Sequence, residues 1–235
     1  TFTNGIATVH HGRVVINGNV NMEVKVPGQE ALKDASFLNH YFVNGIFSGL
    51  NYDKDQPGSS ITISGDANIS TDGTGIHAGA RSTITIGGGG TIRTEKHKNI
   101  SHFALNAEEG IINMNAKLNQ AGEMIGAGNR TTKVYGNIGI IDREESANIS
   151  GSRPTVINLG LTTSDSVLHG VVLDDFKEHN KNEPDKKDIR ERTGLSMYLQ
   201  NGASWHNEVW GTMVPSEPWR GVSHSFTGSK LRSIV

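Results

Sequence analysis

The stretch Ile61-Thr62-Ile63, followed by Ser64-Gly65-Asp66, returns 23 positions later as Ile84-Thr85-Ile86, followed by glycines 87–90. In both copies an isoleucine alternates with a threonine, which is typical of a strand with one buried face. Glycine and aspartate after each copy favour a turn, because they tolerate backbone conformations that are costly for other residues. We therefore predict short strands in which the isoleucines face a core and the threonines face water.

Comparable apolar runs occur along the rest of the chain, and they begin at Val14, Ile111, Val134, Val156 and Leu195. From Ile61 to Val156 the successive runs are 22, 23 or 27 residues apart. The 47 residues before Ile61 fit two such steps, and the 39 residues after Val156 fit one step with an insertion. A period near 23 with several strands per repeat predicts a parallel β-helix of roughly ten turns, stacked about 4.8 Å apart. An antiparallel β-sandwich or barrel is the alternative, since it also has short alternating strands.

The repeats predict a single all-β domain over residues 1–235. Residues 174–193 are rich in charge and poor in apolar side chains, so we expect a charged loop insertion there. Residues 30–39 and 174–192 contain helix-forming residues. We expect both stretches to be excursions from the repeats.

The composition excludes several classes of protein. The chain has no cysteine, which excludes disulfides, zinc–thiolate sites and thiol nucleophiles. Its 22 basic and 24 acidic residues are dispersed and give a net charge of −2, which argues against nucleic acid as a partner. No apolar run approaches the ~20 residues that cross a bilayer. His10-His11 and the pair His97 and His102 lack the spacing and acidic partners of a metal site, so we expect neither a metal nor another cofactor.

The segment from Leu195 to Trp205 is a strand of alternating apolar residues that leads into Asn-Gly-Ala-Ser-Trp. This pattern resembles the passenger domains of bacterial autotransporters of the pertactin-like class. The segment from Ser229 to Val235, which contains Leu231, is similar to the strand that follows in that family. The resemblance implies a right-handed parallel β-helix on the bacterial cell surface, with autochaperone-like capping turns in residues 195–235. It also implies an outer-membrane anchor, a C-terminal β-barrel outside this sequence.

The end of the stack and its loops supply the candidate site residues. A large aromatic side chain can cover the interior of the last turn, so we predict Trp205 and Leu231 as structural caps. Loops that leave a scaffold usually carry specificity, and residues 28–58 and 206–224 are rich in aromatic residues. The predicted binding residues in these loops are Phe37, Tyr41, Phe42, Tyr52, Trp210 and Trp219.

Catalysis is the less favoured interpretation. Asp174-Asp175 follows His169-Gly170, whereas in the polygalacturonase-like pattern the paired aspartates come first. The lack of a catalytic pattern and the aromatic-rich loops predict a non-catalytic adhesin or self-association module, and the resemblance to autotransporter passengers implies a role in adhesion, biofilm formation or virulence. Its partner would be a host or bacterial surface protein or glycan, or a second copy of the chain. The alternatives are a β-helical polysaccharide hydrolase or lyase, and a structural stalk that assists export and folding.

Overall fold

The computed structural model describes residues 2–25, 42–49, 58–95, 103–141, 154–175, 193–211 and 233–234. These ranges contain strands and turns and no helix. Consequently none of them contains a helix of the length and apolarity needed to span a membrane. Most of the strands belong to three parallel sheets, which we call A, B and C.

Each pass of the chain adds one strand to sheet A, then one to B and one to C, and we call such a pass a circuit. The first three circuits are β1 (Phe2–Val9), β2 (Arg13–Ile16), β3 (Val20–Val24); β4 (Phe42–Gly49), β5 (Ser60–Ile63), β6 (Ala67–Thr71); and β7 (Thr74–Ala78), β8 (Thr83–Ile86), β9 (Gly90–Thr94). The fourth circuit carries a hairpin between sheets B and C, and it consists of β10 (Phe103–Glu108), β11 (Ile111–Met114), the hairpin strands β12 (Ala116–Leu118) and β13 (Met124–Ala127), and β14 (Thr132–Tyr135).

The last two full circuits are β15 (Asn137–Ile141), β16 (Val156–Leu161), β17 (Val167–His169); and β18 (Val172–Asp175), β19 (Gly194–Leu199), β20 (Ser204–His206). A final strand, β21 (Ser233–Ile234), joins sheet B beside β19. All neighbouring strands within sheets A, B and C are parallel, and only the β12–β13 pair is antiparallel. The antiparallel sandwich or barrel is therefore wrong for the part of the chain that the structure describes.

Stacked isoleucines fill the interior between the sheets. Ile61 and Ile63 are fully buried and lie in register with the buried Ile84 and Ile86, while Thr62 between them is partly exposed. The predicted orientation of these side chains is confirmed. Burying one such side chain stabilises the fold by roughly 1.5–3 kcal/mol, so the inward rows are the main favourable contribution.

The predicted repeat length is wrong in two intervals. Val134 pairs with Ile92 in sheet C, whereas Val156 pairs with Ile111 in sheet B, so the 45 positions from Ile111 to Val156 form one circuit. The hairpin inserted in that circuit makes one long repeat resemble two short ones. Val14 pairs directly with Ile61, so that interval is also one circuit. The described ranges therefore hold six full circuits rather than about ten turns, because insertions at corners lengthen a circuit without adding a layer.

The charged insertion also begins later than predicted. Asp174 and Asp175 end strand β18, and β19 begins at Gly194. Residues 176–192 and the predicted helical stretch 30–39 lie outside the described residues. Strand pairing with β15 accounts for the difference, since Ile140 and Ile141 are in register with the two aspartates.

The glycine run forms the predicted tight corner, between sheets B and C of the third circuit. Asp66 Oδ1 accepts hydrogen bonds from the backbone N–H of Gly89 at 2.9 Å and from Nε of Arg130 at 3.1 Å. Arg130 lies two circuits from Asp66 and reaches across the corner at Gly88. A side chain at Gly88 would clash with the carboxylate, because its Cβ would lie 2.2 Å from Asp66 Oδ1. The bond from Arg130 lowers the pKa of Asp66, so this corner links three circuits electrostatically.

The β12–β13 hairpin folds back over the outward face of sheet B. It lies against β16 and β19. The packing is close enough that only glycine fits at position 160 of β16, since an added Cβ would lie 2.8 Å from the Cβ of Ala127. At its base, Asn115 Nδ2 donates to the carbonyls of Arg130 at 2.9 Å and Gly160 at 3.1 Å. The hairpin is thus fixed to the sheet that it covers.

Candidate ligand-binding face on sheet C

Two rows of side chains point outward from sheet C, and together we call them face C. The strand register defines both rows. The first row is Asn21, Asn68, Thr91, Lys133, Val167 and Ser204, and the second is Glu23, Ser70, Arg93, Tyr135, His169 and His206. Every one of these residues is partly or fully exposed. Strands about 4.8 Å apart give the face a length of roughly 24 Å.

A shallow groove of about 570 Å³ occupies the end of face C nearest β3. Asn68 Nδ2 donates to Asn21 Oδ1 at 2.9 Å, and Asn68 Oδ1 accepts from the backbone N–H of Thr91 at 3.0 Å. These bonds orient the Asn68 amide along one side of the groove. The outward side chains that line the groove are Asn21, Glu23, Asn68, Ser70, Thr91 and Arg93.

An aromatic cluster occupies the middle of face C. The Arg93 guanidinium lies 3.9 Å from the centroid of the Tyr135 ring and 6.0 Å from that of Trp210. The Trp210 ring is 5.7 Å from Tyr135 and makes an edge contact with His169 at 4.9 Å. Cation–π attraction therefore holds Arg93 in place at the rim of the groove.

Trp210 supports this cluster from a buried position. It is 8% exposed, and its indole N–H donates to the carbonyl of Thr94 at 2.9 Å. Its backbone N–H donates to Asn137 Oδ1 at 3.0 Å, and its carbonyl accepts from Asn137 Nδ2 at 3.1 Å. Trp210, a predicted binding residue, is therefore largely buried and packs against Tyr135 and Arg93. Its binding role stays a prediction.

Two histidines form the far end of face C. The rings of His169 and His206 lie 5.4 Å apart, and Nε2 of His169 is 3.6 Å from a carboxylate oxygen of Glu208. The catalytic alternative combined His169 with Asp174 and Asp175. The structure places the histidine in β17 of sheet C and the two aspartates in β18 of sheet A, so they lie on different sheets.

The structure describes only some of the other predicted residues. Trp205 lies in the inward row of β20, packs against the core, and donates its indole N–H to the carbonyl of Gly170 at 2.9 Å. Its role as a cap stays a prediction. Phe42 is the first residue of β4 and pairs with Phe2. Five predicted residues lie outside the described ranges, and these are Phe37, Tyr41, Tyr52, Trp219 and Leu231.

Sequence reasoning missed the residues of the second outward row. Arg93, Tyr135, His169 and His206 each follow directly after an inward residue of sheet C, as in Ile92-Arg93 and Val134-Tyr135. That adjacency is visible in the sequence. The adjacency reveals the outward row only when Ile92 is aligned with Val134. The predicted 23-residue period aligned Val134 with Ile111 and Val156, which belong to sheet B, and so hid the row.

No three histidine, aspartate or glutamate side chains of the described chain come together in a group that could hold a metal ion. No protein-family model, curated protein or solved structure matches this chain.

Proposed function

We propose that the chain is a right-handed parallel β-helix that binds an extended ligand along face C without catalysing a reaction. The regular return of the chain through sheets A, B and C supports this architecture, since each circuit lays three strands on the circuit before it. The resemblance of residues 195–235 to autotransporter passengers supports the right-handed sense and a location on the bacterial surface. In that setting the protein acts as an adhesin or as a self-association module.

Unequal exposure of the three outward faces is the observation that carries this proposal. In sheet A the outward row is exposed at Ala7 and buried at Phe47, His77, Asn106 and Leu173. In sheet B the outward row is partly exposed or exposed at Val15, Thr62 and Thr85, and it is buried from Asn113 onward to Ser196. Among the residues whose exposure is described, face C alone keeps its outward side chains accessible on all six strands of its sheet.

Face C also has the chemistry of a binding surface. Its amides, hydroxyls, cations and imidazoles can donate and accept hydrogen bonds at the regular spacing of parallel strands. A rigid sheet holds these groups in position before the ligand arrives, so little ordering of the protein opposes binding. A flat array of this length suits a chain-like ligand, such as a glycan or an extended protein surface.

Immobilised protein can test the role of face C. Beads that carry the chain would be assayed for adhesion to bacterial and host cells, to surface polysaccharides and to each other. The variant Asn68→Arg/Lys133→Glu changes bulk and charge on face C, whereas Lys117→Glu changes an exposed residue of the hairpin on sheet B. We expect at least a tenfold loss of adhesion for the first variant and little change for the control. Equal adhesion by all three proteins, or release of products from a polysaccharide, would contradict the proposal.

A further inference from the structure

Arg93 is the best-positioned cation on face C. Its guanidinium is held over the Tyr135 ring and lines the groove. Among the residues that the structure describes, no carboxylate pairs with this guanidinium and no acceptor receives its N–H groups. A guanidinium presents its donors as a fixed fork that matches a carboxylate, and stacking on an aromatic ring pre-orients that fork.

The charges around Arg93 favour an acidic group at this point. Glu23 lines the same groove, but its carboxylate is 2.7 Å from Nζ of Lys25. The hydrogen bond to Glu23 raises the pKa of Lys25, and the charges of Asp72 and Glu95 contribute in the same direction, so Glu23 is engaged by that lysine. Lys133 is a second cation of face C, one strand beyond Thr91, and it has no ion pair within the described ranges.

The remaining groove residues favour a ligand rich in hydroxyl groups. The Asn21 amide N–H groups and the hydroxyls of Ser70 and Thr91 have no hydrogen-bond partner in the described part of the chain. Met22 and Ile69 of the inward row also line the groove, but its outward side chains are all polar and include none of the aromatic anchors that dominate protein–protein interfaces. Spaced amides and hydroxyls instead match the hydroxyls of successive sugar units, whose repeat is similar to the spacing of the strands.

We infer that the groove binds an acidic carbohydrate, with a sugar carboxylate on the Arg93 guanidinium and sugar hydroxyls on Asn21, Ser70 and Thr91. Lys133 attracts a second carboxylate further along face C. Glu23 accepts a hydrogen bond from a sugar hydroxyl and does not contact a sugar carboxylate. This inference rests on the proposed function, because it names the ligand class for the same face. Binding is weakened by salt, since the two cations are only partly buried.

Oligosaccharide binding to the full chain tests this assignment. The probes are a hyaluronan octasaccharide, an oligogalacturonate of the same length, the carboxyl-reduced form of each, and poly-L-glutamate. We expect at least one acidic oligosaccharide to bind, and its carboxyl-reduced form to bind at least about tenfold more weakly. Arg93→Gln is expected to lose at least tenfold in affinity, and Arg93→Lys to recover only part of the loss because it lacks the fork. Arg13→Gln removes an exposed arginine from sheet B and is the matched control, with unchanged affinity.

Each other outcome overturns the inference. It fails if neither acidic oligosaccharide binds, if the reduced forms bind equally well, or if only poly-L-glutamate binds, which would indicate an acidic peptide. It also fails if Arg93→Gln binds as tightly as the unaltered chain. The melting temperature of each variant is the folding control: an unchanged value shows that a loss of affinity comes from a lost contact and not from unfolding. If face C variants abolish adhesion while Arg93→Gln does not, the ligand class is wrong and the proposed function stands. If neither affects binding, both are wrong.

Discussion

Two hydrogen-bonded asparagine pairs point outward from the parallel sheets, and their surroundings differ. In sheet B, Asn158 Nδ2 donates to Asn113 Oδ1 at 2.8 Å, and the two residues are 1% and 4% exposed. In sheet C, Asn68 donates to Asn21 at 2.9 Å, and both residues are exposed. The residue type and the bond are the same. What covers the row therefore decides whether it serves the fold or is available to a ligand.

The largest expected difference between the two pairs comes from adding a charge to each. Asn158→Asp places a carboxylate in a buried row, and we expect a loss of about 3 kcal/mol or more of unfolding free energy at pH 7. Asn68→Asp makes the same change on the exposed row and is expected to cost less than about 0.5 kcal/mol. Urea denaturation of both variants measures the contrast. Similar losses for the two would show that the rows do not differ in burial as described.

Removing the hairpin tests whether it causes that difference. The backbone N–H of Gly128 donates to the carbonyl of Asn115 at 3.0 Å, so a two-residue Asn-Gly turn can replace residues 116–127. In the shortened chain, Asn158 gains access to water, and we expect the penalty of Asn158→Asp to fall by about 2 kcal/mol. The comparison is a double-mutant cycle in urea. An unchanged penalty would mean that something other than the hairpin excludes water from Asn158.

Trp210 packs beside the middle of face C, against Tyr135 and His169. Trp210→Phe keeps an aromatic ring but removes the N–H that donates to the carbonyl of Thr94. We expect a loss of about 1–2 kcal/mol, because that buried carbonyl loses its donor. Thermal unfolding gives the stability. A variant as stable as the unaltered chain would show that Trp210 is not anchored as described.

The smallest expected effect concerns the corner beside the exposed pair. Arg130 lowers the folded-state pKa of Asp66 below its unfolded value, so the ion pair stabilises the fold above the unfolded pKa near 4. This contribution is lost as the pH falls through the lower, folded pKa. We expect a small contribution, since Arg130 is largely exposed and water screens the pair. Unfolding of Asp66→Asn between pH 2 and 7 should lack this part of the pH dependence, and an unaltered profile would contradict it.

The sequence predicted the individual strands more accurately than the number of circuits. Alternation at Ile61, Thr62 and Ile63 was sufficient because strand geometry alone sends neighbouring side chains to opposite faces. The number of circuits was not predictable from spacing, because a hairpin of strand-forming residues after Ile111 imitates another repeat. An insertion that folds back on a sheet looks the same in sequence as a strand that extends the stack.

The candidate site was less predictable than the fold. Trp210 is an aromatic residue in a loop segment with polar flanks, and the sequence predicts it as a binding residue. Its actual role depends on Asn137 and Thr94, which lie 73 and 116 positions away and become neighbours only when the circuits stack. The Arg93 site likewise requires Tyr135 from the next circuit, and no local pattern around either residue reveals the pair.

The absence of cysteine allows one direct measurement of the central claim, that face C is accessible where the outward row of sheet B is covered. Single cysteines would replace Asn68, Lys133 and Ser204 on face C, and Asn158 and Ser196 on sheet B. The rate at which each cysteine reacts with a thiol reagent would then be measured. We predict that the three face C thiols react at rates close to that of a free thiol, and that the two sheet B thiols react about a hundredfold more slowly. Equal rates on the two sheets, or faster reaction on sheet B, would contradict the account.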